Sequence, residues 1–510
     1  MKMPLSTSLR EVDQITMTHQ GITSHNLMER ASLRLTERFL SLGIGKDQRI
    51  IVLSGSGGNG GDAMAMARML LKEGYDIKAF LLQEGRQTSD NRKNQVLLEA
   101  LIPVGTIGEE EDFPVIREGD VILDGLFGSG LNRPLKGLAA ALVRYVNQSR
   151  PGRIVSIDMP SGLGGESILK EDWPAVHASD TLCVGTLKLS QILRENHPAV
   201  GRLHLVDIGL DEKAIMEAVT PYHLTLEKDI RESTDLSRGT FDHKGIYGRG
   251  LVLAGKAGMA GAGLLCMSAA LRTGIGLLTG HVPGANRIIT QSQVWEATLS
   301  MDPSDDCISV LPPLEGYDGA LMGPGIGKSI KTVQVLEQLL KTASCPLVLD
   351  ADALNILSEN RRLLDLVPSH TILTPHPVEM DRLLGGKCQD SLERLNKAAE
   401  MARRHQVVIV LKGAYSAVID ESGWCHFNTT GSAAMATAGS GDVLSGIILA
   451  LVSRGITPFQ AARTGVWLHG KSGEMMARET SDNFLTARDI IEGLKKSLIL
   501  LEARSSELEL

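Results

Sequence analysis

Twice in this chain a glycine-rich loop ends in an aspartate and runs straight into a helical pattern. The first copy is Gly57-Gly58-Asn59-Gly60-Gly61-Asp62, after the strand-like run Arg49 to Ser54. The second is Ala438-Gly439-Ser440-Gly441-Asp442, before the apolar run Val443 to Leu451. Glycines let a backbone approach a ligand, and the helix that follows offers unpaired N–H groups and the positive end of its dipole to an anion. Helix capping alone accounts for the aspartates but not for the glycines. A cap contributes roughly 0.5–2 kcal/mol, and each idle glycine costs up to about 0.5–1 kcal/mol of backbone entropy. Two such loops this far apart imply two nucleotide-type sites in two domains.

The length of 510 residues exceeds one hydrophobic core. A net charge of −8 without a lysine or arginine block argues against nucleic acid as a partner. It leaves phosphate sites open, since backbone N–H groups can build them. The stretch Ala257 to Leu271 is too short and glycine-rich for a membrane span, and the start lacks a signal-peptide core. Six cysteines without CxxC spacing read as free thiols of a cytoplasmic protein. No two histidines stand at ligand spacing on one helix, so a transition-metal site is not expected.

Strand and helix patterns alternate through the first part. Strands are expected at Arg49–Ser54, Asp76–Leu82, Asp120–Leu123, Arg153–Ile157, Asp180–Val184 and Leu203–Val206, and helices at Asp62–Lys72 and Leu138–Val146. Short apolar strands interleaved with helices imply a parallel, doubly wound sheet, covered by a helical segment from Met1 to Leu40. A charged stretch between Asp211 and Gly248 marks the boundary, dividing the chain into 1–220 and 221–510. A second series follows at Leu251–Ala254, Asp318–Met322, Pro346–Asp350, Thr371–Thr374 and Val407–Leu411, and the last part, from Asp442 to Leu501, reads as nearly all helix. The fold class is α/β in both domains.

Three loops of the first half fall at strand C-termini, where open α/β sheets bind ligands. They are the glycine loop, the run from Asp124 to Pro134 and Asp158-Met-Pro-Ser-Gly162. Asn59, Asp124 and Ser161 are oxygen donors that can converge on a hard cation. These loops resemble the epimerase of the YjeF N-terminal family, which acts on NAD(P)H hydrates and has the motifs NNGGDG, D-(A/G)-(I/L)-F-G-(T/S)-G-L and D-(I/M)-P-S-G. The first motif departs here, with Gly58 for its leading asparagine and Ala63 for its final glycine. The resemblance implies a Rossmann-like domain in which Asn59, Asp124 and Ser161 hold K⁺. It implies substrate binding by Gly58, Asn59, Gly60, Gly61 and Asp62, by Gly128, Ser129, Gly130, Leu131, Asn132, Arg133 and Pro134, and by Asp158. Asp158 is then a proton carrier, and Asp62 largely a cap and binder.

In the second half His376 sits between Pro375 and Pro377, which fix φ near −65° on both sides; substrate contact is expected of so constrained a ring. Lys412 follows an apolar strand beside a phosphate-type loop. That loop can stabilise a phosphoryl group in flight while its aspartate takes a hydroxyl proton. The segments HKGIYG (243–248), GPGIG (323–327), DADALN (350–355), TPHP (374–377), LKGA (411–414) and MATAGSGDVL (435–444) together resemble the ADP/ATP-dependent NAD(P)H-hydrate dehydratases, of ribokinase-like fold. Two stretches depart from that pattern: Gly431-Ser-Ala-Ala-Met435 stands for the usual GNPGM, and Gly255-Lys-Ala-Gly258 for GSRG.

The resemblance implies S-hydrate binding by Ala262, Gly325, His376 and Asp442. It places the adenine nucleotide on Lys412, Gly413, Ala414, Tyr415 and Ser416, and on Ser432, Ala433, Ala434, Met435, Ala436, Thr437, Ala438, Gly439, Ser440 and Gly441. Asp442 would be the catalytic base, with Mg²⁺ present and ADP as co-substrate, hydrolysed to AMP and phosphate, in a homo-oligomer of tetramer size or larger. The expected function is repair of hydrated NADH and NADPH (NADHX and NADPHX) by epimerisation and dehydration. The alternative is a ribokinase-like small-molecule kinase with a nucleotide-sensing first module.

Overall fold

The computed structural model describes residues 1–502. They form two compact units, Lys2–Thr220 and the chain from Pro221 onward with Met1.

The first unit is built on seven parallel strands: β1 (Ile50–Ser54), β2 (Ile77–Leu82), β3 (Val104–Ile107), β4 (Val121–Gly125), β5 (Arg153–Ile157), β6 (Asp180–Val184) and β7 (Arg202–Val206). Their order is β3-β2-β1-β4-β5-β6-β7. β1 reads Ile-Ile-Val-Leu-Ser and is buried throughout, as a strand covered on both faces must be. Ile50 and Val52 pack with the helices Ser24–Leu40 and Gly58–Lys72. Ile51 and Leu53 pack on the opposite side with the helix Gly137–Gln148. The winding direction reverses between β1 and β4, so the loops after β1, β4 and β5 open beside one another.

The second unit carries ten strands: β8 (Tyr222–Thr225), β9 (Arg249–Leu253), β10 (Leu277–Val282), β11 (Thr298–Met301), β12 (Gly319–Met322), β13 (Leu347–Leu349), β14 (Ile372–Leu373), β15 (Val408–Leu411), β16 (Ala417–Ile419) and β17 (Cys425–Asn428). The order is β11-β10-β9-β12-β13-β14-β15-β16-β17-β8, with β15-β16-β17 antiparallel and the rest parallel. The helices Ala260–Thr273 and Ser440–Ser453 pack closely on this sheet. Their approach leaves no room for a side chain at Gly446, whose Cβ would overlap the Cys266 carbonyl. Helices at Ser440–Ser453, Pro458–Glu479 and Ala487–Glu502 fill the C-terminal part.

The α/β class expected for both parts is the class observed. Two local expectations are corrected. The helices after the glycine loops begin earlier than the apolar pattern indicates, at Gly58 and Ser440, with Gly57 and Gly439 as N-caps. Asp62 and Asp442 therefore lie inside their helices and cap neither. The strands β3, β8, β10, β11, β16 and β17 were not expected either. β3 is only four residues long and holds Gly105, which packs flat on Phe80, a Cβ there lying 2.6 Å from the ring.

Candidate functional site

Each unit gathers its motifs at the C-terminal ends of neighbouring strands. In the first, Ser54, Gly125 and Ile157 end β1, β4 and β5, and the three loops follow them. The glycines of the first loop divide by role. Gly60 and Gly61 are required by packing: a Cβ on Gly60 would meet Ser54 Oγ at 2.6 Å and Asn91 Nδ2 at 2.7 Å, and one on Gly61 would meet Met28 Sδ at 2.7 Å. Gly57 and Gly58 have open space where a side chain would stand, as does Gly130. Asn91, fully buried, pins the loop by donating to the carbonyls of Gly55 (2.8 Å) and Gly57 (2.7 Å).

Asn59, Asp124 and Ser161 come together around Phe127. Ser161 Oγ donates to Asp124 Oδ1 at 2.5 Å and accepts from Phe127 N at 2.9 Å, while Asn59 Nδ2 donates to Phe127 O at 3.1 Å. Asp124 is fully buried, and Ser156 Oγ (2.7 Å), Ser161 N (2.9 Å) and Leu126 N (3.3 Å) also donate to it. Burial nevertheless pushes its carboxyl above the ordinary range, and no lysine or arginine among the described residues pairs with it. A cluster of hard oxygens around a buried carboxylate lacking a counter-charge fits a hard cation.

Asp158 carries a left-handed backbone (φ 59°), uncommon outside glycine. Its Oδ1 is ion-paired with the buried Lys188. Its Oδ2 would lie 3.6 Å from a Cβ on Gly128, and Asn59 Cγ 3.5 Å from the same point, so Asp158, Gly128 and Asn59 share one space. Asp62 receives Ser32 Oγ at 3.1 Å, and burial, with the carboxylates of Asp158, Asp13 and Glu29, pushes it up to about 8. Ser129, Leu131, Asn132, Arg133 and Pro134 continue the loop after β4, ahead of the helix Gly137–Gln148.

In the second unit the chain reverses direction between β9 and β12, and the loops after β9, β12, β13, β14 and β15 line up. Gly325, at φ 65°, would bring a Cβ within 3.2 Å of Ala262 Cβ, so these two expected substrate residues are neighbours. Lys412 Nζ lies 3.0 Å from Asp350 Oδ1, 4.0 Å from Glu379 Oε2 and 3.3 Å from where a Cβ on Gly441 would stand. The strand-end lysine and the anion loop therefore meet. Burial disfavours the Lys412 charge, but Asp350, Glu379 and Asp442 outweigh it and hold its pKa above the ordinary value.

The Asp442 carboxylate has no hydrogen-bond partner among the described residues. Burial, with Asp350 nearby, raises it to about 7, where a general base for neutral solution belongs. Ser440 Oγ lies 3.2 Å from Nε2 of His469, whose pKa burial depresses to about 4, so that ring is neutral.

His376 has a structural task that the sequence did not reveal. It caps the helix Pro377–Leu384, its Nδ1 accepting from the N–H groups of Val378 (3.2 Å) and Glu379 (3.4 Å), while Glu379 Oε2 accepts from His376 N (2.9 Å). Proline is favoured at the first helical position, so the cap accounts for Pro377 beside the ring. The other ring nitrogen lies 3.4 Å from Glu379 Oε1 on a half-exposed side chain. Ser432 caps the short turn Ala433–Met435 and faces Asp482 at 3.4 Å.

Sequence reasoning missed Asp350, Glu379, Lys188, Asn91 and Asp13. Asp350 and Glu379 stand in or beside quoted motifs and were legible there. Asp13, pushed up to about 6 by burial and Asp158, lies in an unremarkable helical stretch, and only the fold brings it near the site.

Residues 24–190 match the family model described as YjeF-related protein N-terminus, and residues 250–496 the one described as NAD(P)H-hydrate dehydratase. A bifunctional NAD(P)H-hydrate repair enzyme of Moorella thermoacetica is 33% identical over 98% of this chain and 97% of its own. That of Thermosynechococcus vestitus is 33% identical over 92% of each. The solved ADP/ATP-dependent NAD(P)H-hydrate dehydratase from Bacillus subtilis, co-crystallised with ATP and Mg²⁺, is 30% identical and covers 55% of this chain and 98% of its own, with a TM-score of 0.49. The chain belongs to the family of bifunctional NAD(P)H-hydrate repair enzymes.

Proposed function

We propose that this chain repairs hydrated NADH and NADPH, its first unit interconverting the R and S hydrates and its second dehydrating the S form. The observation that carries this reading is similarity to bifunctional repair enzymes along 98% of the chain, across both loop clusters. A small-molecule kinase with a sensing module is not favoured, because it leaves the extended match of the first unit unused.

In the first unit the substrate's phosphates lie against Gly57, Gly58 and the loop from Gly128 to Pro134. Asp158 Oδ2 moves a proton at the hydroxyl of the hydrated carbon. The Asn59, Asp124, Ser161 and Phe127 oxygens would hold K⁺, which supplies the counter-charge for Asp124 when bound.

In the second unit the S-hydrate occupies the space beside Ala262, Gly325 and His376, with the nucleotide on the segments 412–416 and 432–441. Asp442 takes the proton of the C6 hydroxyl as its oxygen accepts the terminal phosphoryl group of ADP, and AMP leaves. Phosphate then departs with the C–O electron pair, a proton leaves the adjacent carbon, and NAD(P)H is restored. The N–H groups of Gly439 and Gly441 and the charge of Lys412 face the phosphoryl group in flight. Among the described residues no three His, Cys, Asp or Glu side chains are grouped to hold a metal. Mg²⁺ takes one or two carboxylates and the nucleotide's phosphates and would neutralise phosphate charge when bound.

The test is direct. Purified protein with ADP and Mg²⁺ should regenerate NADH absorbance from a mixture of R and S hydrates; absence of NADH, or accumulation of a stable phosphorylated product, overturns the assignment.

A further inference from the structure

Asp158 is gripped at both ends by one segment, β6 and the turn that follows it. Lys188 Nζ donates to Asp158 Oδ1, to Val184 O (3.1 Å) and to Thr186 O (3.0 Å). An ammonium has three N–H bonds, and all three are committed, so Lys188 has no proton to offer a substrate. Its side chain is 1% exposed. Val184 N adds a bond to Oδ1 at 3.3 Å. Gln191 accepts from Lys188 N at 2.8 Å and donates to the Asp158 carbonyl at 2.6 Å. Asp158 N in turn donates to Leu182 O at 2.8 Å. Left-handed backbone at a residue with a Cβ persists only where surrounding contacts impose it, and these bonds impose it here. The one oxygen left outside the grip, Oδ2, is the one that faces Gly128 and Asn59.

We propose that Lys188 is the positioning residue of the epimerase site, locking Asp158 in its left-handed conformation so that Oδ2 alone meets the substrate hydroxyl. The proposal rests on the reading of Asp158 as the proton carrier. A buried ion pair that served only the fold would need neither the left-handed backbone nor the second grip through Gln191. It would also leave the direction of Oδ2 without consequence.

The experiment uses the full chain with Asp158→Asn, Lys188→Met, Gln191→Leu and the double variant Asp158→Asn/Lys188→Met. Interconversion of purified R and S NADHX is followed chromatographically, and thermal denaturation of the same preparations reports whether the first unit, Lys2–Thr220, is folded. Lys188→Met should lower epimerisation kcat by about 10²–10⁴-fold, the range of a lost acid–base contribution, with KM almost unchanged and dehydration retained. The double variant should be no slower than Asp158→Asn, as residues acting as one unit are. Gln191→Leu, which keeps the charge pair, should also lower kcat rather than raise KM and serves if Lys188→Met does not fold.

Three results overturn the proposal: parental kcat in Lys188→Met, a loss confined to KM, or multiplicative losses in the double variant. Full activity in Asp158→Asn overturns the reading of Asp158 itself.

Discussion

Asp350 joins Lys412 to the helix that carries Asp442: Lys412 Nζ lies 3.0 Å from its Oδ1, and Ser445 Oγ donates to its Oδ2 at 2.5 Å. Ser445 stands one turn beyond Asp442 on the helix Ser440–Ser453. A single buried carboxylate at the end of β13 thus sets the spacing between a strand-end cation and the helix of the anion loop.

Removing one member of that arrangement should be worse than removing two. Lys412→Met leaves Asp350 buried without its cation and should destabilise the second unit by about 3–5 kcal/mol, the range for a broken buried pair. Adding Asp350→Asn should restore most of the stability but none of the nucleotide affinity. Chemical denaturation and the KM for ADP measure the two effects separately.

Asp442→Asn should abolish dehydration while epimerisation continues. Asp442 acts as a base only when ionised, so the dehydration rate should rise with pH up to about 7. The stability effect has the opposite sign. Its folded pKa is raised above the unfolded value of 3.8. The proton therefore favours folding, and the stability it contributes is full below 3.8 and lost as pH rises to about 7. At neutral pH Asp442→Asn should melt higher than the parent, and calorimetry across that pH range would reveal an effect of the other sign.

Gly128→Ala tests the loop after β4 as a substrate site without disturbing the fold. Its backbone φ is not positive, and the added Cβ would make only ordinary contacts, at 3.5 Å with Asn59 and 3.6 Å with Asp158. Stability should stay within about 0.5 kcal/mol, while the methyl occupies space meant for substrate. Epimerisation should fall sharply in kcat/KM. Unchanged epimerase kinetics would place the substrate elsewhere.

Ions should separate the two activities. Chelation of Mg²⁺ should stop dehydration and leave R–S interconversion running. Replacing K⁺ by a bulky organic cation should slow interconversion. Asp124→Asn, which removes the buried carboxylate charge, should make that step indifferent to K⁺. Stopped assays on each purified hydrate read both outcomes.

Much of the fold was legible because its main strands are short β-branched runs buried on both faces, as in Ile50–Ser54, with glycine loops behind them. Most of the missed strands are short: β16 has three residues and β3, β8, β11 and β17 four, and such strands exist only through neighbours that hydrogen-bond to them, while the six-residue β10 carries Gly280 in mid-strand, which weakens its pattern. The site was legible where a motif is contiguous: Ser161 and Asp124 do meet, and so do Lys412 and the loop of Gly441. His376 shows the limit of that reasoning. Its flanking prolines announced a constrained ring, but a helix cap explains Pro377 beside it, since capping is a relation to backbone N–H groups that form only with the helix.

The glycine–aspartate loops divide along the same line. Glycine spacing and apolar periodicity are local properties, so the chain alone shows that each loop follows a strand or precedes a helix and leaves backbone free for an anion. What each aspartate experiences depends on the assembled fold. Neither caps its helix; both are raised by burial, Asp62 to about 8 among Asp158, Asp13 and Glu29, and Asp442 to about 7 between Asp350 and Lys412. Desolvation and Coulomb interactions come from residues remote in the chain, and they take their values only once the fold has brought those residues together.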